Sequence, residues 1–328
     1  MPRKNIVLVV GAGTSHDFEP EMDTGATLIT NIINRVNDRD SKDKNLSDLL
    51  QGININENQR VKFEKDLEKY KNDHVDGASI DYFLNQKKDE DKYRDIGTFS
   101  IAFHILGNEA SCVRKATFNK YSWLDELNVF IERCRLNTWG DPLVDLKIVT
   151  FNYDRLLEEY LYRKHGAAIE SFIANSIVHV YNKIAPLKWQ KNDRQDFKNG
   201  FLDFGHPNND IKEILRYREY IRLMYDNRKS DNPHLQTAKN FLLAAHSVLF
   251  IGYGYDKYNN DNLELPFVNG KNVFANYYVS EWNEAWKKRY EEFKGNNEIW
   301  GNQRDGITFT TETCTNFIRH WLPKAAEL

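Results

Sequence analysis

Three short segments, composed mainly of apolar or β-branched residues and leading into glycine or polar residues, constrain the fold of this chain most strongly. They are Ile6–Val10, Leu146–Phe151 and Ser247–Gly252. A continuous apolar segment of this length, rather than an alternating one, is typical of a strand in a parallel sheet that helices cover on both faces. The sequence therefore predicts three buried strands of one parallel sheet.

Weaker strand patterns and helical patterns alternate with these segments. Strands are expected at Ser176–Tyr181, Asn276–Val279 and Ile307–Thr310, and helices at Ala26–Val36, Asp154–Arg163, Pro233–Ala245, Trp282–Phe293 and Thr313–Leu322. This alternation predicts an α/β fold with a Rossmann-like, doubly wound parallel sheet. Between residues 38 and 141 the strand patterns stop and charge density rises. We expect residues 1–37 and 142–328 to form one discontinuous nucleotide-binding domain, and residues 38–141 to form a helical insertion.

Composition excludes several classes of protein. Lys and Arg number 45, Asp and Glu number 48, and the pI is near 6.3. Proteins that bind nucleic acid usually have a basic patch or a higher pI, so we expect no direct nucleic-acid partner. The three widely spaced cysteines fit neither a zinc ribbon nor a disulfide framework. Because no apolar run matches a signal peptide or a membrane span, we expect a cytoplasmic protein without a membrane partner.

The first corner, GAGTS at residues 11–15, follows the first strand. Gly11 and Gly13 would let the backbone approach a ligand closely, and amide groups at the start of the next helix would point at a pyrophosphate. The dinucleotide fingerprint G-x-G-x-x-G is incomplete here, since its sixth position is His16. The alternative is a tight turn in which Ser15 caps a helix.

The second and third corners carry further polar groups. Asn152 and Asp154 follow the second strand, and Gly252, Gly254 and Asp256 follow the third. Open α/β sheets bind ligands at the carboxyl ends of their strands, so a shared dinucleotide crevice is expected. An uncharged amide such as Asn152 suits holding a ribose hydroxyl or a water. Asp154 and Asp256 are alternatively helix or turn caps.

The motifs GAGTS, TFNYDRLLE and IGYGYDKYNNDNL, in this order and with an insertion that contains SIDYFL, resemble the sirtuin-like domains of bacteria. They are more similar to the NAD-hydrolysing domains of prokaryotic immune systems, of the Thoeris type and its relatives, than to protein deacetylases. The resemblance covers about residues 5–36 and 146–322 and matches the insertion loosely.

The resemblance implies roles for individual residues. Asn152 matches the catalytic asparagine that holds the ribose and the water. The cofactor-binding set that we expect is Gly11, Ala12, Gly13, Ser15, Asp154, Tyr181, Gly252, Gly254 and Asp256.

One departure from the family concerns the general base. The family usually has a histidine followed by glycine at the end of the next strand, and Tyr181-Asn182 stands there instead. His179 lies two residues earlier, on the same face of a strand if side chains alternate. We expect His179 to act as the base and Tyr181 to pack on the nicotinamide ribose. Two alternatives stay open: His179 is a core histidine, or His206 is the base, on a loop or lid from residues 188 to 209.

The implied function is that of an NAD⁺ hydrolase, an NAD glycohydrolase that acts in antiphage defence by depleting NAD. NAD is then the substrate, and no zinc is expected, because the four-cysteine module of deacylating sirtuins is not matched. The family implies control through a homo-oligomer or a separately encoded partner, such as a HerA-type ATPase or an Argonaute-type protein. An NAD or ADP-ribose sensor and a protein deacylase are the alternatives.

Overall fold

The fold is α/β, with an all-parallel sheet between two layers of helices. The computed structural model describes residues 4–37, 46–74, 79–136, 144–190, 200–207, 210–223, 232–255, 257–263, 271–276 and 308–327. Within these residues one six-stranded sheet has the order β3-β2-β1-β4-β5-β6, with every neighbouring pair parallel. This is the strand order of a doubly wound dinucleotide-binding fold. The predicted fold class is confirmed.

The strands are short, as is typical of buried parallel sheets. They are β1 Lys4–Val10, β2 Val144–Thr150, β3 Ile177–His179, β4 Ser247–Ile251, β5 Asn272–Asn276 and β6 Thr308–Thr310.

The helices between β1 and β2 lie mostly in the predicted insertion. They are α1 Ala12–Phe18, α2 Gly25–Asn37, α3 Leu46–Gln51, α4 Glu57–Asp73, α5 Ile80–Gln86, α6 Tyr93–Arg114 and α7 Trp123–Leu136.

The remaining helices connect the later strands or follow the last one. They are α8 Leu156–His165, α9 Glu170–Ser176, α10 Ile211–Tyr217, α11 Pro233–Ala244, α12 Lys257–Leu263 and α13 Cys314–Glu327.

Alternate residues of the central strands face opposite cores. Val7 and Val9 of β1 pack with apolar residues of α2, α4, α5, α6 and α11. Ile6, Leu8 and Val10 pack with those of α7, α8, α9 and α13. Both faces of the sheet are therefore covered, which explains the continuous apolar sequence of β1. The helix α6 contributes buried residues along most of its length to the first core, so the helices between β1 and β2 share that core with the sheet.

Two predicted elements differ from the structure. β5 ends at Asn276, where the predicted strand begins, because its buried apolar residues are Val273, Phe274 and Ala275. Residues 277–279 lie outside the described residues, as does the predicted helix Trp282–Phe293. β3 is shorter than predicted: Ser176 ends α9, and the chain turns after His179.

Within the part of the chain that the structure describes, no helix is both long and apolar enough to cross a membrane. Across the same residues, no group of three or more His, Cys, Asp or Glu side chains is arranged to hold a metal ion. The three cysteines are free thiols.

Candidate active site

The corners that follow β1 and β4 are in direct backbone contact. The amide of Gly11 donates to the carbonyl of Ile251 at 3.0 Å, and the amide of Gly13 donates to the carbonyl of Gly252 at 2.9 Å. A Cβ atom on Gly11 would lie 2.4 Å from the Gly252 carbonyl oxygen. One on Gly252, whose φ is +53°, would lie 2.3 Å from the Thr14 nitrogen. The close approach of the two corners therefore requires glycine on both sides.

This contact changes the role of the predicted phosphate loop. The amides of Gly11 and Gly13 are bonded to the β4 corner, so these two groups do not point at a pyrophosphate, and the binding of a pyrophosphate at the start of α1 stays a prediction. They join two strand ends at the point where the strand order reverses. Ser15 lies inside α1 and does not cap it, since the N-cap is Gly11.

Three other predicted cofactor-binding residues belong to these two corners. Ala12 is the first residue of α1. Gly254 is half-buried in the loop after β4, and Asp256 lies outside the described residues. Their binding of NAD stays a prediction.

Asn152, at the corner after β2, is joined to the first corner by its side chain. Its Nδ2 donates to Ser15 Oγ at 3.0 Å and faces the Gly11 carbonyl oxygen at 3.4 Å. Ser15 Oγ in turn donates to Asp154 Oδ2 at 2.9 Å. Since a backbone carbonyl can only accept, these bonds give the amide of Asn152 one orientation. We call Ser15, Asn152 and Asp154 the polar cluster.

The amide oxygen of Asn152 faces away from these partners. Among the described residues, this buried Oδ1 atom has no hydrogen-bond partner, and neither has Oε2 of Glu158. The polar cluster, Glu158 and His179 line a cavity of about 10 Å³, which is the room of roughly one water molecule. Because a buried acceptor without a donor costs about 1–3 kcal/mol, the site suits a water or a sugar hydroxyl, and a larger part of a nucleotide does not fit this cavity.

Asp154 is a buried carboxyl with an altered pKa. Burial raises its pKa to about 6, and the charge of Glu109 adds to this. Hydrogen bonds from the Leu156 amide and the Ser15 hydroxyl act in the opposite direction. Through the bond from the Leu156 amide, Asp154 also fixes the backbone just before α8, although the N-cap residue of this helix is Arg155. A carboxyl with a pKa near neutral pH at a strand end is typical of functional sites.

His179 has both ring nitrogens in hydrogen bonds inside the protein. Nδ1 lies 2.8 Å from the carbonyl oxygen of Asn152, and Nε2 lies 2.8 Å from Oε1 of Glu158. In this arrangement neither nitrogen is available to take a proton from a ligand. The geometry therefore favours the core-histidine alternative over the expected role of His179 as general base.

Tyr181 lies on the opposite face of the sheet from His179. β3 ends at His179, so alternation does not continue to Tyr181, and the same-face expectation is wrong. The Tyr181 ring packs edge-on against Phe151, and its hydroxyl donates to Asn259 of α12. Asn182 has a φ of +63°, a left-handed conformation that suits the glycine of the family pattern.

His206 forms an ion pair with Glu213 of α10. Two neighbours in the same loop, Leu202 and Phe204, are buried. No described contact joins His206 to the polar cluster, so its role as a base stays an untested alternative.

Sequence reasoning missed three buried charged residues beside the cluster, an ion pair and a further glutamate. Arg155 and Glu109 are fully buried and joined at 2.5 Å, from Nη2 to Oε2. Glu158, in the first turn of α8, is also buried. The helix pattern gave one usable signal: Glu158 lies three residues before the buried Leu161, on the edge of the apolar face.

Side chains along one face of α6 and at its C-terminal cap bind carboxylates of the segment after α1. The pairs are Asn108 with Asp23, Ser111 with Glu21, and Lys115 with Glu19. Through Glu109, α6 also holds Arg155. One helix is therefore tied to chain segments that flank both Ser15 and Asp154.

Comparison with known proteins agrees with this geometry. No curated protein matches the chain. Residues 146–263, which include most of β2, all of β3 and β4, Asn152 and the β4 corner, match the family model described as a SIR2-like domain. SIR2-like domains bind NAD, so the match indicates an NAD-related function. The strand order and the convergent corners are consistent with a SIR2-like, or sirtuin-like, domain in this part of the chain.

Proposed function

We propose that this protein is an NAD⁺ hydrolase that cleaves the bond between nicotinamide and ribose. The observation that carries the proposal is the hydrogen bonding of the Asn152 side chain at the end of a strand in the sheet. Its amide is held in one orientation by Ser15 and Gly11, while its buried Oδ1 has no partner among the described residues. An oriented acceptor without a donor is what a ribose hydroxyl or a water would satisfy.

The polar cluster has the charges that such a reaction needs. NAD⁺ and water give nicotinamide, ADP-ribose and a proton. Nicotinamide leaves as a neutral ring with the electron pair of the broken bond, so positive charge develops on the ribose. Asn152 Oδ1 would accept from a ribose hydroxyl or from the water that adds to the sugar. Asp154 is largely ionised above its pKa of about 6, and its negative charge favours the developing positive charge.

The biological role is a further part of the proposal. The resemblance of the three motifs supports an effector of bacterial antiphage defence that depletes NAD. We propose that its activity is controlled by homo-oligomer assembly or by a separately encoded partner, such as a HerA-type ATPase or an Argonaute-type protein.

One observation favours a second candidate, a module that binds NAD or ADP-ribose without efficient turnover. Both nitrogens of His179 are occupied, and Tyr181 stands where the family has its histidine. A site without a free histidine base could hold the dinucleotide and hydrolyse it slowly.

The test is release of free nicotinamide from NAD by purified protein at several protein concentrations, with and without an acylated peptide. Release without peptide supports the hydrolase, and a rise in specific activity with concentration supports control by assembly. Release that requires peptide indicates a deacylase. Tight binding of NAD without release supports the sensor.

The matched variants are Asn152→Ala and Asn175→Ala. Asn175 is an exposed asparagine that bonds within α9, so its substitution should leave nicotinamide release unchanged. Asn152→Ala should abolish release while the far-UV circular dichroism stays that of the wild type. Equal turnover by both variants would reject the site.

A further inference from the structure

A buried ionic group lies directly behind the polar cluster. It consists of Glu158 in α8, His179 at the end of β3 and Lys183 in the following loop. Their side chains are 1%, 6% and 6% exposed. Glu158 Oε1 accepts from His179 Nε2 at 2.8 Å and from Lys183 Nζ at 3.0 Å. A carboxylate at this depth is stable only when it is paired.

The hydrogen bonds of His179 define its protons. Nδ1 faces the carbonyl oxygen of Asn152, which can only accept, so Nδ1 carries a proton. Nε2 faces Glu158. Oε1 of Glu158 also accepts from the ammonium group of Lys183, so it faces Nε2 as an acceptor, and the ring of His179 donates from both of its nitrogens.

These contacts connect Glu158 to the candidate catalytic asparagine. The ring of His179 donates to the backbone carbonyl of Asn152, the residue whose side-chain oxygen is the unpartnered acceptor. The neighbouring backbone is fixed in the same way, since the amide of Val180 donates to the carbonyl of Thr150.

We propose that Glu158 is a positioning residue: through a doubly protonated His179, it fixes the main chain of Asn152 and so aims the amide oxygen of that residue. This inference rests on the proposed function, because it assigns Glu158 a part in the NAD hydrolysis proposed for Asn152. His179 is then a cationic link and takes no proton from the substrate.

Other charged groups also act on this link. Asp154 lies near enough to His179 for their charges to interact. From α11, His234 is affected by the charges of Arg222, His179 and Lys183, and burial together with these charges lowers its pKa to about 4. His234 is thus neutral at pH 7 and adds no charge beside His179.

The first measurement needs no variant at the ionic group. In protein labelled with ¹⁵N-histidine at pH 7, the His179 ring should show two protonated nitrogens, assigned by the loss of its signals in His179→Gln. A neutral ring with one proton would overturn the proposal.

The second measurement compares Glu158→Gln with Glu159→Gln, the same change at the next position of α8, where the carboxylate pairs with the partly exposed Arg163. Glu158→Gln should lower kcat by on the order of 100-fold, with little change in KM, because a misplaced catalytic group loses transition-state stabilisation. Glu159→Gln should retain wild-type kcat. Glu158→Asp, which keeps the charge, should recover part of the loss.

The outcomes separate this inference from the proposed function. Wild-type protein that releases no nicotinamide contradicts the proposed function, while the nitrogen spectrum still tests the doubly protonated link. The positioning role is overturned if a folded Glu158→Gln protein has the wild-type kcat. It is also overturned if Glu158→Gln lowers kcat while His179 keeps both protons and Glu158→Asp recovers none of the loss. If Glu158→Gln does not fold, the kcat of Glu158→Asp and the nitrogen spectrum of the wild type test the positioning role instead.

Discussion

The side-chain amide of Asn152 donates to the hydroxyl of Ser15 at 3.0 Å, although the two residues are 137 positions apart in the chain. This bond joins the corner after β2 to the helix after β1. Because the hydroxyl of Ser15 in turn donates a hydrogen bond to Asp154, three side chains from two strand ends share one directional set of hydrogen bonds.

Ser15→Ala should weaken both the fold and the site. The change removes the acceptor for Asn152 and the donor for Asp154, so the free energy of unfolding should fall by about 1–3 kcal/mol. Nicotinamide release should fall as well, since Asn152 loses a bond that orients it. Urea unfolding and the release assay measure the two effects. The control is Ser171→Ala, at an exposed position in α9, and a Ser15→Ala protein as stable as this control would contradict the prediction.

Asp154→Asn should alter how stability depends on pH. The folded state raises the Asp154 pKa from 3.8 to about 6, chiefly through burial, so its stability contribution is complete below 3.8 and is lost as pH rises through 6. The loss amounts to up to about 3 kcal/mol. An amide carries no charge, so the free energy of unfolding of Asp154→Asn relative to wild type should increase from pH 4 to pH 8.

Denaturant unfolding at several pH values measures this difference. The exposed Asp89→Asn is the control and should follow wild type throughout. A constant difference between Asp154→Asn and wild type would show that Asp154 titrates normally.

Gly252→Ala should separate the β1 and β4 corners. The φ of +53° and a contact of 2.3 Å between the new Cβ and the Thr14 nitrogen both oppose a side chain. Left-handed backbone alone costs a non-glycine residue about 1–3 kcal/mol, and the contact adds to this. Thermal unfolding measures the loss. Gly25→Ala is the matched control, because its Cβ meets nothing within 4 Å. Equal stability of the two variants would refute the packing role of Gly252.

The buried pair of Arg155 and Glu109 should show strong coupling. Removing one partner leaves an uncompensated buried charge, so Glu109→Gln or Arg155→Met should each cost about 3–5 kcal/mol. The double variant Glu109→Gln/Arg155→Met should cost clearly less than the sum of the two. Urea unfolding of all four proteins gives the coupling free energy. Additive losses would mean that the pair contributes no interaction of its own.

The central strands were predictable from the sequence because a parallel strand covered on both faces leaves a continuous apolar segment. This holds for Ile6–Val10 and for Ser247–Ile251. The pattern was weaker at β5, where buried Val273, Phe274 and Ala275 lie beside a pair of tyrosines that have equal strand preference. The predicted strand therefore begins at Asn276, where the observed strand ends.

The sequence predicted which residues form the site better than it predicted the contacts between them. The motifs pointed to Asn152, Ser15 and Asp154, and the structure brings these residues together. Sequence spacing could not show that Gly11 and Gly13 bond to the β4 corner, because the partner is distant in the chain. It also could not show that His179 meets Glu158, since a glutamate in an amphipathic helix usually faces solvent.

The helix α6 holds Asp23, Glu21 and Glu19 on one side and Arg155 on the other. A shift of α6 along its axis would therefore carry the chain segments next to Ser15 and Asp154 in the same direction. The amide bonds of Gly11 and Gly13 to the β4 corner oppose such a shift, so α6, the first corner and the β4 corner restrain one another.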